Sequence, residues 1–239
     1  MAGFIDSIAG GGGLMTVPAF SILLGPSALA IGTNKIAGSA AAGMAFLIYA
    51  RNGQFSMQKG LYFSLAVLVG SFLGSQIGSV IPAQFFQWLM LAVCPLMLVL
   101  VLKKDMIVKE IAPHNPKTKV IHLQRLLLAG FLCGLYDGVL GPGGGTLMLM
   151  ALLLMTEMPL LLAIGISKFA NLLSALSSLS GYALHSNVDW SVGLYYAGFA
   201  TVGALVGSKL ATKKAATIVR PVLVLVVTLL FIKLVSDLF

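Results

Sequence analysis

Four charged side chains stand in otherwise apolar segments of this sequence: Asp6, Lys35, Asp137 and Lys168. By insertion scales, one such residue at the centre of a bilayer costs about 2.5–3.5 kcal/mol of free energy. Four of them facing lipid would therefore cost on the order of 10 kcal/mol, comparable to the whole stability of a domain. We expect them to face a protein interior or a wet cavity, with Asp6 paired to Lys35 and Asp137 paired to Lys168.

A run of glycines follows each of the two aspartates. Glycines occupy positions 10–13 in the first case, and positions 141 and 143–145, interrupted by Pro142, in the second. Each glycine costs about 1 kcal/mol relative to alanine in a helix, and proline removes a donor, so a helix should break at both runs. The helix that restarts there points free N–H groups and the positive end of its dipole at the break, and such ends bind anions. The backbone expected to bind an anion is that of Gly12, Gly13, Gly144, Gly145 and Thr146.

Polar side chains around the two lysines could complete such a site. The stretch "GTNKIAGS" (residues 32–39) has a counterpart in "GISKFANLLS" (residues 165–174). In the second stretch Lys168, Asn171 and Ser174 are spaced i, i+3, i+6 and keep roughly to one helical face. Two cations with amides and hydroxyls suit a small oxyanion, with Asp6 and Asp137 holding the lysines or carrying coupling protons. The expected substrate-binding side chains are Lys35, Lys168, Thr33, Asn34, Ser167 and Asn171.

Other kinds of site find little support in the sequence. There is no hydrolytic triad, and "GGGGLMT" lacks the spacing and α/β context of a phosphate-binding loop. The three histidines have no metal-ligand spacing, and Cys94 and Cys133 are typical of small core residues. We therefore expect no enzyme activity, no cofactor and no metal. The remaining alternative is structural, in which two interior salt bridges only fasten the chain together.

The elements that position these residues follow from composition. The chain has 239 residues, of which 59% are hydrophobic and 9% charged, against about 25% charged in an average soluble domain. Apolar runs cover residues 61–81, 85–102, 160–184 and 222–238, and each can cross roughly 30 Å of hydrocarbon as a helix. The sequence predicts an all-α, polytopic membrane protein. Its net charge of +8 then reflects orientation in the bilayer rather than nucleic-acid binding.

The chain also matches itself at a shift of 133 residues. "AIGTNKIAG" (30–38) falls on "AIGISKFAN" (163–171), and "GSFLGSQ" (70–76) on "GALVGSK" (203–209). Asp6 falls on Asp137 if the second glycine turn carries two extra residues. We predict a first transmembrane repeat over 1–102, a polar cytoplasmic linker over 103–122, and a second transmembrane repeat over 123–239.

Charge placement predicts how the two repeats are oriented. Each repeat comprises a glycine-broken segment, re-entrant or discontinuous, followed by three transmembrane helices. The positively charged loops can all face the cytoplasm only if each broken segment makes no net crossing. Each repeat then crosses three times, so the two repeats are inverted relative to one another. Labelling at Thr217 and at Asn187 is expected from opposite sides.

The motifs "GFIDSIAGGGGL", "GTNK", "GLYDGVLGPGGGT" and "SKFANLLS" resemble those of the TauE/SafE sulfite exporter family, over nearly the whole chain. The resemblance implies an exporter of small sulfur-containing anions, such as sulfite or organosulfonates, in a bacterial inner membrane. Proton-coupled or potential-driven export is expected for the class. Family members commonly have more apolar helix before the first motif. We therefore expect either that the native start lies upstream of Met1 or that the first helix is unusually short.

Alternatives to the sulfite exporter remain open. The leading hypothesis is a secondary transporter that works by alternating access, with its anion site at the interface of the repeats. An anion channel, a transporter of another small anion or carboxylate, and a non-transporting assembly factor are the others. The expected partners are a small anion and the lipid bilayer, with proton coupling and a homodimer left open and nucleic acid excluded.

Overall fold

The computed structural model describes residues 1–82, 84–85, 123–156 and 158–212. Over these residues the chain is helical and contains no strand, which confirms the all-α prediction. The helices of eight residues or more are α1 (Ala2–Ala9), α2 (Gly13–Leu24), α3 (Ala28–Arg51), α4 (Met57–Val80), α5 (Leu123–Val139), α6 (Gly144–Met155), α7 (Leu160–Leu184) and α8 (Trp190–Thr212).

Among the residues that the structure describes, three stretches of helix are long and apolar enough to cross a membrane. They are Gly60–Val80 within α4, the whole of α7, and α8. The predicted span 160–184 coincides with α7, and the predicted span 61–81 is displaced by one residue from that in α4. Apart from Phe85, the runs 85–102 and 222–238 lie outside the described residues, as does the predicted linker 103–122. The protein is a helical membrane protein.

Both glycine runs break a helix. In the first, α1 ends at Ala9, Gly10 takes a left-handed backbone conformation with φ of 79°, and α2 begins at Gly13. In the second, α5 ends at Val139 and α6 begins at Gly144, with Gly141 and Gly143 also at positive φ. The helices α2 and α6 each have 12 residues, or about 18 Å. The prediction of two discontinuous helices is confirmed.

Equivalent residues of the two halves make equivalent contacts. Tyr49 donates a hydrogen bond to the carbonyl oxygen of Ser7 at 3.1 Å, and Tyr182 donates to that of Gly138 at 2.9 Å. Both tyrosines are fully buried. Each hydroxyl thus ties the end of α3 or α7 to the last turn before a glycine break, which fixes the break relative to the long helix.

The two central helices, α3 and α7, run antiparallel. A methyl group at Gly32, near the start of α3, would meet the carbonyl of Asn187, just beyond the end of α7. A methyl group at Gly165, near the start of α7, would meet the carbonyl of Gln54, just beyond the end of α3. The start of each helix therefore lies against the end of the other. Lys35 and Lys168, which stand near the two starts, are brought in this way to the opposite half of the chain.

Candidate functional site: a charged cavity between two broken helices

A cavity of about 50 Å³ lies where the two glycine breaks meet the central helices. Side chains or backbone from α1, α2, α3, α5, α6, α7 and α8 form its wall. Eight of the residues expected at an anion site line it: Asp6, Gly12, Gly13, Asn34, Lys35, Asp137, Gly145 and Asn171. The structure therefore brings together residues that are up to 165 positions apart in the sequence.

Several expected site residues lie outside the wall of this cavity. The hydroxyl of Thr33 accepts a hydrogen bond of 2.8 Å from the amide of Asp189, at the entry to α8. Ser167 donates to the carbonyl of Ile164 within its own helix at 2.8 Å. The others that do not line the cavity are Gly144, Thr146 and Lys168. A position beside a lysine in the sequence therefore does not place a side chain at the cavity, because α3 and α7 point successive residues in different directions.

The ion pairs are crossed between the two halves of the chain. Lys35 Nζ lies 2.9 Å from Asp137 Oδ2, and Lys168 Nζ lies 3.5 Å from Asp6 Oδ2. Each lysine also donates to the main-chain oxygen of the same aspartate. The prediction of pairs within each half was wrong. The physical reason is the antiparallel packing of α3 and α7, which lays each lysine against the break of the other half.

The two breaks contact each other through their backbones. A methyl group at Gly10 would meet the backbone of Gly145 and Thr146, and one at Gly13 would lie 3.1 Å from the carbonyl oxygen of Gly141. Gly13 and Gly145 belong to the first turns of their half-helices, where N–H groups have no partner within the helix. Glycine is thus required at Gly10 both by its positive φ and by this close approach. Two positive helix ends lie at one small cavity.

The two carboxylates differ in their partners. Asp137 Oδ2 accepts from Lys35 and also from the hydroxyl of Ser174, at 2.5 Å. Asp6 Oδ1 accepts from the amide of Gly12 at 3.3 Å, whereas Asp6 Oδ2 has no hydrogen-bond donor. The position equivalent to Ser174 in the first half is occupied by Ala41, which lines the cavity. The site is therefore duplicated in outline but asymmetric in its hydrogen bonds.

Sequence reasoning did not place Thr16, Gly38 or Ala41 at the site, although all three line the cavity. Thr16 donates to the carbonyl of Gly12 at 3.2 Å, one turn into α2. Thr16 follows Gly12 by four residues, so both lie on the same face at the start of α2, and this spacing could have identified Thr16 from the sequence. Gly38 and Ala41 could have been found as the counterparts of Asn171 and Ser174 under the repeat. Among the described residues, no group of three or more His, Cys, Asp or Glu side chains could hold a metal ion.

Apolar helices long enough to span a membrane, two discontinuous helices and buried charges around a cavity at the breaks are typical of membrane transporters. The chain belongs to the sulfite exporter TauE/SafE family, whose model matches residues 1–234. This membership confirms the resemblance seen in the motifs, and the protein is a membrane transporter of that family.

Relatives of similar length are named probable membrane transporter proteins. A probable membrane transporter protein of Sinorhizobium sp is 34% identical over 242 residues, covering 99% of this chain and 89% of the relative. A probable membrane transporter protein of Haemophilus influenzae is 30% identical over 237 residues, covering 99% and 91%. Another from Escherichia coli, strain K12, is 27% identical over 237 residues, covering 99% and 87%. No solved structure matches the chain.

Proposed function

We propose that this protein is a secondary transporter that exports a small sulfur-containing anion, such as sulfite or an organosulfonate, across a bacterial inner membrane. The observation that carries the proposal is the cavity itself, which gathers Lys35 and the starts of two half-helices. Its volume of about 50 Å³ is far below the roughly 300–1,000 Å³ of pockets for drug-sized ligands. A substrate of a few heavy atoms fits this space, which favours a small oxyanion or short sulfonate.

Each residue at the cavity has a distinct part in anion binding. Lys35 supplies the positive charge, and the side-chain amide of Asn171 supplies a donor. The first-turn amides of Gly13 and Gly145 add backbone donors and the helix dipoles. Lys168 does not line the cavity and acts as a positioning residue, since it holds the main chain and carboxylate of Asp6 from behind.

Alternating access about the interface of two inverted repeats is the mechanism we propose for this site. The antiparallel packing of α3 and α7, which are equivalent under the repeat, supports the inverted arrangement. Transporters built in this way keep the substrate site fixed at the repeat interface while one half moves against the other. The contact between the two breaks, at Gly10 and Gly145, supplies such an interface.

Flux into proteoliposomes tests the proposal, with sulfite, sulfate, thiosulfate, ethanesulfonate and acetate as the panel. We expect saturable flux of sulfite or a sulfonate, and Lys35→Ala should abolish it. Because Lys35→Ala also leaves Asp137 without its cation, Asn171→Ala is a companion that removes a donor without unpairing a charge. It should weaken anion affinity while the protein stays folded.

Lys209→Ala is the matched control for loss of positive charge, since Lys209 is exposed on α8 and does not line the cavity. Its flux should equal that of the unaltered protein. Sulfite flux that survives unchanged in both Lys35→Ala and Asn171→Ala would reject this site. Conductance without saturation would indicate a channel, and flux of acetate alone would indicate a carboxylate transporter.

A further inference from the structure

Two buried oxygen atoms at the cavity lack a hydrogen-bond donor. They are Asp6 Oδ2 and Asn34 Oδ1. Asp6 is 7% exposed and Asn34 is 6% exposed, and both residues line the same cavity of about 50 Å³. Buried acceptors are nearly always paired, and Asp6 Oδ2 has near it only the ammonium group of Lys168, at 3.5 Å, so these two oxygens leave a place for a further donor or cation.

The second half of the chain shows how the same position looks when it is satisfied. Asp137 Oδ2 receives both the ammonium group of Lys35 and the hydroxyl of Ser174. In the first half, Lys168 Nζ is 3.5 Å from Asp6 Oδ2, and Ala41 replaces the serine. The residue equivalent to Asn34 is Ser167, whose hydroxyl donates within its own helix. Of these two equivalent positions in the described part of the chain, the Asp6 side is the one whose buried oxygens lack a hydrogen-bond donor.

The charges around Asp6 also favour a bound cation during transport. The charged groups that face it are Lys168 from α7, together with Lys35 from α3 and Asp137 from α5 across the cavity. With Asp6 itself, these four buried charges sum to zero. An anion entering a neutral, desolvated site would leave uncompensated charge, which is strongly unfavourable. A cation that enters with the anion keeps the site neutral.

We propose that Asp6 and Asn34 form a binding site for a monovalent cation, H⁺ or Na⁺, which is occupied together with the transported anion. The inference rests on the proposed anion-transport function and assigns its coupling ion to one carboxylate of the two. A proton would form an O–H bond on Asp6 Oδ2 and donate to Asn34 Oδ1, satisfying both acceptors. Sodium would instead take both oxygens, with the hydroxyl oxygen of Thr16 as a further ligand from the wall of the cavity. Asp137, already bonded by Lys35 and Ser174, is the structural counterpart.

The variant that tests this site is Ala41→Ser. It supplies to Asp6 the hydroxyl that Ser174 supplies to Asp137, and should therefore displace the cation while keeping every charge in place. Ala40→Ser is the matched control, because Ala40 is the neighbouring residue of α3 and does not line the cavity. Asp6→Asn removes the charge directly, and Ala41→Ser decides the outcome if Asp6→Asn fails to fold.

The first measurement uses the full chain in detergent with gluconate salts and no candidate substrate. We follow its melting temperature across a pH series at constant Na⁺, and across a Na⁺ series against choline at constant pH. A rise with Na⁺ identifies sodium, and a rise as pH falls identifies the proton. In either case Ala41→Ser should lose most of the rise and Ala40→Ser should keep it. No response in the unaltered protein, or an equal response in Ala41→Ser, overturns the proposal.

The second measurement is calorimetric titration with ethanesulfonate, which stays ionised throughout the pH series. The cation should raise the affinity at least about fivefold, the lower end of typical coupling between sites. Ala41→Ser should bind ethanesulfonate with little dependence on the cation. Affinity that is the same in all conditions would overturn the coupling and leave the anion site standing. If neither ethanesulfonate nor thiosulfate binds, the anion function fails, and the melting series alone decides the cation site.

Discussion

Lys35 is shared between a carboxylate and the cavity. Its ammonium group lies 2.9 Å from Asp137 Oδ2 and also lines the space proposed for the anion. An oxyanion that binds there must compete with Asp137 for the same charge. This competition limits affinity, and it also prevents Lys35 from standing as an unpaired buried cation when the cavity holds no anion. A transporter needs both properties, since it must release its substrate and survive without it.

The crossed pairing at these residues is testable by double-mutant cycles. Lys35→Met and Asp137→Asn should each lower the free energy of unfolding by about 3–5 kcal/mol, because each leaves a buried charge without its partner. Their combination should show an interaction energy of about 0.5–3 kcal/mol. Lys35→Met combined with Asp6→Asn should couple more weakly. The measurement is unfolding in mixed micelles, and stronger coupling of Lys35 to Asp6 would contradict the crossed pairs.

Among the secondary-structure elements, the positions of the helix breaks could be predicted from the sequence, whereas the ion-pair partners of the two lysines could not. Glycine runs end helices by local backbone preference, so the breaks near Gly10 and Gly143 could be predicted. The pairing of Lys35 could not, because the two aspartates have the same type and similar surroundings in sequence. Which one it meets depends on how α3 crosses α7, and that is a property of packing. Thr33 does not line the cavity for the same reason, since the direction in which its side chain leaves α3 brings it to the amide of Asp189 instead.

The two helix breaks are in backbone contact, and this contact leaves no space for a side chain at Gly10. Gly10→Ala would place a methyl group into the backbone of Gly145 and Thr146, at a position whose φ of 79° already disfavours a side chain. We expect a loss of several kcal/mol in stability, through the combined clash and strain. Melting of the purified protein measures it.

Gly198→Ala is the matched control for that substitution. Gly198 lies in α8 and has open space around its Cα. Alanine there should be neutral or stabilising by up to about 1 kcal/mol, since it favours the helix. A Gly10→Ala protein as stable as Gly198→Ala would show that the two breaks do not touch.

For the whole molecule, the crossed contacts make each half of the chain dependent on the other. Without the second half, Lys35 would lose Asp137, and without the first, Lys168 would lose Asp6. The cavity likewise takes its wall from both halves. The repeat is therefore visible in the sequence as two copies, whereas the cavity is built by the pair. The copies differ at Ala41 and Ser174, and the two carboxylates have different hydrogen-bond partners as a result.

The last prediction concerns the sides of the membrane on which equivalent ends of the two halves lie. Asn52 and Ser186 are both exposed and follow the ends of the equivalent helices α3 and α7. Because those helices run antiparallel, Asn52→Cys and Ser186→Cys should react with a membrane-impermeant maleimide from opposite sides, in a background that carries Cys94→Ala and Cys133→Ala. The positive charge of Arg51 predicts that the Asn52 site faces the cytoplasm. Intact cells should therefore label Ser186→Cys, and inverted vesicles should label Asn52→Cys. Labelling of both from one side would refute the inverted arrangement, and with it the proposed alternating movement of one half against the other.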